Sequence, residues 1–390
     1  MSKVSIRLEE PLMVGGKRLA DNVLESLDYI PGNVMRAALA KYILLSCPLY
    51  DHRKPDELGR YNYVYVRDET SCSRCKFNNA CREFSNIRIS FFYPEGYDII
   101  PLTSKKCKTY MDHGFKDILT GVETSECEEC MKINRQGSGT AFLGRMEFAN
   151  GFRHGKEKCT PGRYSFTRTS LDEYTLTALD ASLHSINVVE GGIIYEGEIK
   201  GFESLNLNPG KMLYVGKYTS IGFGHVKIMG VKDKPERKNL IELLGEFNKN
   251  IRTKLPRDAE KSYIPILFRS DAKLGIEELC TDTPLSDREY KQIWERLVLG
   301  DNPCGFQIEQ VFSEQDIYKG YDTSKELEKW ERKPCVFTKK GTSVLMSTKK
   351  RLEDIVETLI SMETKGIGKD TYDGFGEIEI CNELHVKGGI

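Results

Sequence analysis

The chain of 390 residues lacks a dominant charge, any long apolar run and any paired set of histidines. With 57 basic against 58 acidic residues the net charge is −1. That balance excludes the strongly basic profile of a free-standing nucleic-acid binder, although a whole-chain sum hides local basic surfaces. The N-terminal MSKVSIRLEE has no apolar stretch of the kind a signal peptide needs. The longest apolar patch, Tyr42 to Cys47, is far too short to span a bilayer. The expectation is a cytoplasmic protein with no membrane partner. The six histidines are scattered, so no ready general acid–base pair is visible.

What the chain has instead is cysteine, glycine and a repeat. Length suggests two or three domains and a sizeable core, and 39% hydrophobic with 29% charged residues is ordinary globular material. Residues 216–228 read GKYTSIGFGHVKI and residues 368–380 read GKDTYDGFGEIEI, which share G-K-x-T-x-x-G-F-G-x-[V/I]-x-I. A duplicated unit is the simplest cause. The GK invites a phosphate-binding reading, but a P-loop follows a strand and opens a helix, whereas here the loop runs into a strand. Two readings remain: glycines that permit a tight turn, or glycines that admit a phosphodiester near Gly222 and Gly224, with Lys217 supplying charge.

Period-two alternation at residues 3–14 (Val4, Ile6, Leu8) predicts a strand. After Pro31 and Gly32, with Asn33 as N-cap, apolar residues recur at helical spacing to Leu45. Residues 50–160 are loop-rich and read as an insertion. A helix is predicted over 171–186, strands from there to 230, and a charged linker at 231–240. A second unit then has helices near 239–250, 286–298 and 350–365, with strands at 263–271 and 335–347. The predicted class is α+β, with domains at 1–230 and 251–390 joined by a linker and helix at 231–250.

YIPGNVMRAALA (29–40) resembles the I-P-G segment that follows the first strand in the RAMP superfamily of CRISPR-associated RNA-binding proteins. The G-x-G-F-G-x-[V/I] loop before a final strand is similar to that superfamily's other hallmark. IPLTSKKCK (100–108), HGFKD (113–117) and CEEC (127–130) resemble the Csx-ten family, the Cas-five-like subunits of type III-D effector complexes. The likeness covers most of residues 1–230 and the end of the chain, while residues 270–335 carry no motif of the family. It implies two tandem ferredoxin-like (RRM-like) domains and a subunit that binds guide RNA (crRNA). Other RAMP subunits, the large subunit and, through the complex, target RNA would be its partners. It also implies that the helix carrying Gly32, Asn33 and Arg36 borders the RNA. One departure is Ala37, where the family usually has glycine.

Six of the twelve cysteines fall between residues 72 and 130. Cys72-x2-Cys75 and Cys127-x2-Cys130 have the knuckle spacing that aims two thiolates at one ion, which predicts structural Zn²⁺. Cys81 and Cys107 leave the grouping open. One site could use Cys107, Cys127 and Cys130 with His113 or a first-group cysteine, two sites are conceivable, and an iron–sulfur cluster on Cys72, Cys75 and Cys81 is an alternative. Cys47, Cys159, Cys280, Cys304, Cys335 and Cys381 read as isolated.

The stretch 151–170 interleaves Arg153, Lys156, Lys158, Arg163 and Arg168 with Tyr164 and Phe166. Cations neutralise phosphates and rings stack on bases, the recipe for single-stranded RNA. Lys105, Lys106 and Lys108 form a weaker basic group. A non-catalytic scaffold or cap is expected. The alternatives are a target-cleaving backbone subunit using Asp21, a guide-processing endoribonuclease using His225, and a zinc-dependent protein-interaction module without RNA.

Overall fold

The computed structural model describes residues 2–15, 17–20, 22–120, 125–136, 144–180, 182–205, 207–233, 239–254, 258–275, 285–300, 305–318 and 334–389. It is a mixed α/β structure with several antiparallel sheets. The first sheet is built on β1 (Ser2–Leu8), whose Val4, Ile6 and Leu8 are buried as the alternation requires. The helix α1 (Gly32–Leu45) follows, then the short β2 (Arg88–Ile89), β3 (Ile194–Lys200) and β4 (His225–Asp233). β1 pairs antiparallel with β3 on one side and β4 on the other, and β2 pairs with β3.

The second half opens with α2 (Leu240–Lys254) and β5 (Ser262–Phe268). There follow α3 (Asp287–Leu299), β6 (Phe306–Phe312), β7 (Ser343–Thr348), α4 (Leu352–Lys365) and β8 (Ile378–Ile380). Its strand order is β6-β7-β5-β8. Among the four strands labelled in each half, the first is central, flanked by the third and fourth, with the second beside the third; the first sheet also carries Tyr93–Pro94 on β3 and Met212–Tyr214 on the outer side of β4. The halves differ between their third and fourth strands. The second half has the full helix α4, and among the described residues the first has two short 3-10 turns, Phe202–Leu205 and Thr219–Ile221, and the strand Met212–Tyr214.

Local chemistry explains the helices. Ser286 and Glu289 form a reciprocal capping box that starts α3. In α4, Leu352, Ile355, Val356, Leu359 and Met362 recur at three- and four-residue spacing on the face that meets the second core. Two large cores lie in the two halves. A third, mostly aromatic cluster (Tyr29, Phe91, Tyr93, Phe152, Phe337, Phe375) joins residues of both.

Three expectations change. Asn33 is not the N-cap of α1: Pro31 occupies that place with no side-chain cap, and the helix starts at Gly32. The helix expected over 171–186 is absent: Leu171 to Asp180 form turns, and a strand runs from His184 to Val189. Within 50–160, residues 88–94 belong to the first sheet, since Arg88–Ile89 and Tyr93–Pro94 both pair with β3. The apolar Phe91-Phe92-Tyr93 run explains this, because all three side chains are buried. Of the linker, residues 234–238 lie outside the described residues. Among the described residues, no helix is long and apolar enough to cross a membrane.

Candidate nucleic-acid interface and metal centre

The two glycine loops superimpose in their bonding, residue for residue. Lys217 N donates to Met13 O (2.8 Å) and Lys369 N to Lys273 O (3.0 Å). Gly224 N donates to Pro11 O (2.7 Å), and Gly376 N to Asp271 O (2.9 Å). Val215 N bonds Gly224 O, and Ile367 N bonds Gly376 O, each at 2.8 Å. Each loop thus straps its last strand to the chain just beyond its first strand. A Cβ at Gly224 would lie 1.9 Å from Val215 O, and one at Gly376 would lie 1.8 Å from Ile367 O. Those glycines are held by close backbone approach. Gly222 differs: it has φ +100°, but a Cβ there meets nothing within 4 Å, so this side of the first loop is open.

The start of α1 lies against the second loop. A Cβ on Gly32 would come within 2.3 Å of Asp373 O and 2.4 Å of Ile89 O, which is why only glycine fits. Arg36, one turn on, spends its guanidinium there: Nε bonds Asp373 Oδ1 (2.5 Å), Nη1 bonds Phe84 O (2.8 Å), and Nη2 bonds Ile87 O (2.5 Å) and Tyr372 O (3.0 Å). Asn33 is exposed. Further ties join the halves here, Tyr29 OH to Asp271 and Arg88 to the carbonyls of Thr364 and Lys365, and within the second half Lys273 pairs with Asp370 of the loop. Nothing in the sequence marked Tyr29, Asp271 or Lys340. The Lys340 ammonium stands 4.1 Å above the Tyr29 ring and 5.0 Å above Phe152, and burial pushes its pKa down.

Strand periodicity sorts the basic stretch. Along the strand Arg163–Arg168, Tyr164, Phe166 and Arg168 share one face and Arg163 takes the other. Arg163 pairs with Asp28 and, at 3.2 Å, with Glu25. Tyr164 and Phe166 are 40% and 41% exposed. The Phe166 ring meets Phe223, the ring between Gly222 and Gly224, edge-on at 5.7 Å. Tyr218, next to Lys217, also meets Phe223, at 6.3 Å. The exposed rings, the open glycine loop and Lys217 therefore share one region. Among the described residues neither Arg168 nor Lys217 makes a side-chain ion pair or hydrogen bond. Crowding by protein lowers the Lys217 pKa, although its side chain still reaches solvent.

Arg153, Lys156 and Lys158 sit elsewhere, on the hairpin Phe152–His154 and Glu157–Cys159. Arg153 is buried, with Asp98 at 3.0 Å and Glu383 at 3.6 Å. Lys156 is exposed, and Lys158 donates to Asn150 Oδ1 (3.3 Å). His225 follows the first loop with its ring edge-on to Tyr214 at 4.7 Å. Asp21 lies outside the described residues.

The second knuckle closes with two partners from the chain before it. Cys107, His113, Cys127 and Cys130 place one ligand atom each within 4.8 Å of one another. The Cys107 and Cys130 sulfurs are 3.7 Å apart, and His113 Nδ1 lies 3.3 Å from Cys127 Sγ and 3.5 Å from Cys130 Sγ. The Tyr110 ring stacks on His113 at 4.8 Å and fixes its plane. A Cβ at Gly144 would fall 2.4 Å from Cys130 Sγ, so glycine keeps the pocket open. Burial opposes ionisation of Cys107, yet backbone N–H groups of Tyr110 and Thr109 outweigh it and lower its pKa. Burial pushes Cys130 up to about 12. Cys72 and Cys75 do not join Cys127 and Cys130: with Cys81 they lie on the short helices Glu69–Cys72 and Asn78–Glu83 and the turn between them, Cys75 and Cys81 against the first core. Cys280 and Cys304 lie outside the described residues.

No family model and no curated protein matches the chain. Among solved structures, it is similar to a chain of the Type III-B Cmr-beta bound to cognate target RNA and AMPPnP, state 1. That chain is 15% identical with a TM-score of 0.44, over 92% of this chain and 88% of its own length. A chain of the same assembly bound to cognate target RNA is 13% identical at a TM-score of 0.43, over 92% and 89%. One of the apo state is 13% identical at 0.29, over 60% of this chain and 97% of its own.

Proposed function

We propose that this chain is a non-catalytic, RNA-binding subunit of a type III CRISPR effector complex, holding guide RNA on the face of its first half. The observation that carries the reading is the Phe166–Phe223 ring contact, which sets the strand face of Tyr164, Phe166 and Arg168 beside the loop of Gly222 and Lys217. Rings available for base stacking beside unpaired cations suit a single strand. The 4-1-3-2 strand order of both halves supports two ferredoxin-like units, and the RAMP-like IPG segment and glycine loops agree with it. Arg36, Arg153 and Arg163 serve as internal ties in this reading, leaving phosphate contact to Lys217, Arg168, Lys156 and Lys158. Other effector subunits are the partners.

We assign Zn²⁺ to Cys107, His113, Cys127 and Cys130 as a structural ion. Tetrahedral zinc with Zn–S of about 2.3 Å and Zn–N of about 2.05 Å sets S···S near ~3.8 Å and S···N near ~3.6 Å. The observed separations of 3.7 Å, 3.3 Å and 3.5 Å match that geometry. All four positions belong to the protein, so the ion has a folding role.

The test is titration of single-stranded guide RNA into the full chain at several salt concentrations. Lys217→Ala with Arg168→Ala should weaken binding at low salt and flatten the log–log salt dependence, by roughly 0.7 per lost phosphate contact. Phe166→Ala should cost about 1–3 kcal/mol with the slope unchanged, as lost stacking does. Wild-type affinity and slope in all of these variants would sink the assignment.

A further inference from the structure

The fold packs the segments that carry the cysteines left over from the zinc group against the end of α1, which leads into one that the sequence shows as isolated. We propose that Cys47, Cys72, Cys75 and Cys81 form a second, four-thiolate metal site. This goes beyond the RNA reading and stands whether or not that reading holds.

Three chain segments meet there. Cys47 lies just past α1, its N–H donating to Leu44 O (3.0 Å). Tyr42 of the same helix packs edge-on against Phe77 at 5.7 Å and 84°, and Phe77 lies between Cys75 and Cys81 in the chain. On the other side, Tyr50 N donates to Cys47 O (3.2 Å), and the Arg67 guanidinium lies 5.5 Å from the Tyr50 ring. Arg67 precedes Asp68, whose carboxylate caps the helix Glu69–Cys72. The end of α1 is thereby clamped to both segments that carry the other three thiols.

The knuckle between them is preformed. Cys72 O accepts from Cys75 N (3.0 Å) and from Asn78 Nδ2 (2.9 Å), and Cys81 N donates to Phe77 O (2.8 Å). All four cysteines are half-buried and none is in a disulfide. Cys81 has the other three, and the Arg67 cation, as its electrostatic neighbours. Four thiols in one neighbourhood would repel one another once ionised, and a soft cation would gather them. Unlike the Cys107 group, no three of these thiols lie within 4.8 Å of one another. That spacing leaves room for an iron–sulfur core, and a single zinc would draw the sulfurs inward. Both need four thiolates.

The experiment is metal and acid-labile sulfide analysis of the full chain, purified without oxygen or added chelator. Wild type should carry two metal centres. Cys107→Ser with Cys130→Ser should lose one and keep the other, whereas Cys47→Ser should lose the one that the double variant keeps. Zinc without sulfide identifies a single ion, and iron with sulfide identifies a cluster. A single centre that vanishes with the Cys107 and Cys130 pair, or metal content unmoved by Cys47→Ser, overturns the proposal. Should Cys47→Ser fail to fold, iodoacetamide labelling of the unaltered protein decides. Cys47, Cys72, Cys75 and Cys81 should be protected together and become reactive together after EDTA or bathophenanthroline. Equal labelling before and after either chelator overturns it.

Discussion

Gly376 and Gly224 show how one residue type carries two roles in a single seven-residue motif. Each has φ near +67° to +69° and a carbonyl where a Cβ would go, whereas Gly222 has only the φ. Gly376→Ala and Gly224→Ala should each cost several kcal/mol, since the strained φ of about 1–3 kcal/mol adds to a backbone clash. Gly222→Ala should cost about 1 kcal/mol by the same φ argument alone. Thermal melts of the three variants check the order; equal losses would mean the close approaches carry no weight. Arg36 makes the same distinction among cations. Arg36→Ala strands Asp373 and three carbonyls in a partly buried junction, and should destabilise the fold by about 2–3 kcal/mol. Lys217→Ala removes no described side-chain partner, so it should leave the melting temperature unchanged and lower RNA affinity. Sequence alone made Arg36 and Lys217 equivalent, because whether a cation is spent internally depends on Asp373, which lies 337 residues away.

Among elements, legibility followed how local the cause is. The strand Ser2–Leu8 and the helices Asp287–Leu299 and Leu352–Lys365 were readable because their alternation, capping box and apolar stripe are written in adjacent residues. The expected 171–186 helix failed because nothing packs on it. Leu171, Tyr174, Leu176, Leu179 and Leu183 are all exposed, so the apolar spacing has no core to bury against. Asp172 Oδ1 instead accepts from Tyr174 N, Thr175 N and Thr175 Oγ1, offering the backbone a turn in place of a helix. Leu176 then takes φ +56°. Leu176→Gly is therefore expected to be neutral or stabilising by about 0.5–1 kcal/mol, because glycine tolerates that φ. A helix would lose about 1 kcal/mol on the same change. Hydrogen exchange of residues 163–189 distinguishes the two: faster exchange in Leu176→Gly would restore the helical reading. The metal group was half legible. The grouping of Cys107, Cys127 and Cys130 with His113 was one of several the spacing allowed, and the choice among them is made by the sheet Ser104–Cys107, Phe115–Asp117 and Met146–Phe148, whose pairing no short motif states.

At the scale of the whole molecule, two of the places that hold the insert differ in strength. At one, the helix Glu383–Lys387 at the C-terminal end ties it to the second half: His385 Nδ1 lies 2.9 Å from Asp117 Oδ2, both fully buried, and Thr120 Oγ1 donates to His385 O at 3.1 Å. At the other, among the described residues the apolar cluster at the knuckle is Cys107, Cys127 and Cys130 with Met146 packed against it. So small a cluster offsets little of the entropy of ordering the loops around it, and on the proposed reading a bound ion would supply the difference. Chelation should therefore abolish amide protection in residues 104–117 and 144–148. The loss should spread to residues 383–387, because the Asp117 partner of His385 sits on the strand beside the site. It should stop at the second core, where Ser262–Phe268 and Ser343–Thr348 are buried in the sheet with Leu345 and Met346. Hydrogen exchange with and without chelator, on the full chain, reads all three regions at once. Unchanged protection in 104–117 would mean that the fold holds the four ligands without an ion, and loss across Ser262–Phe268 would mean that the insert and the second half unfold as one.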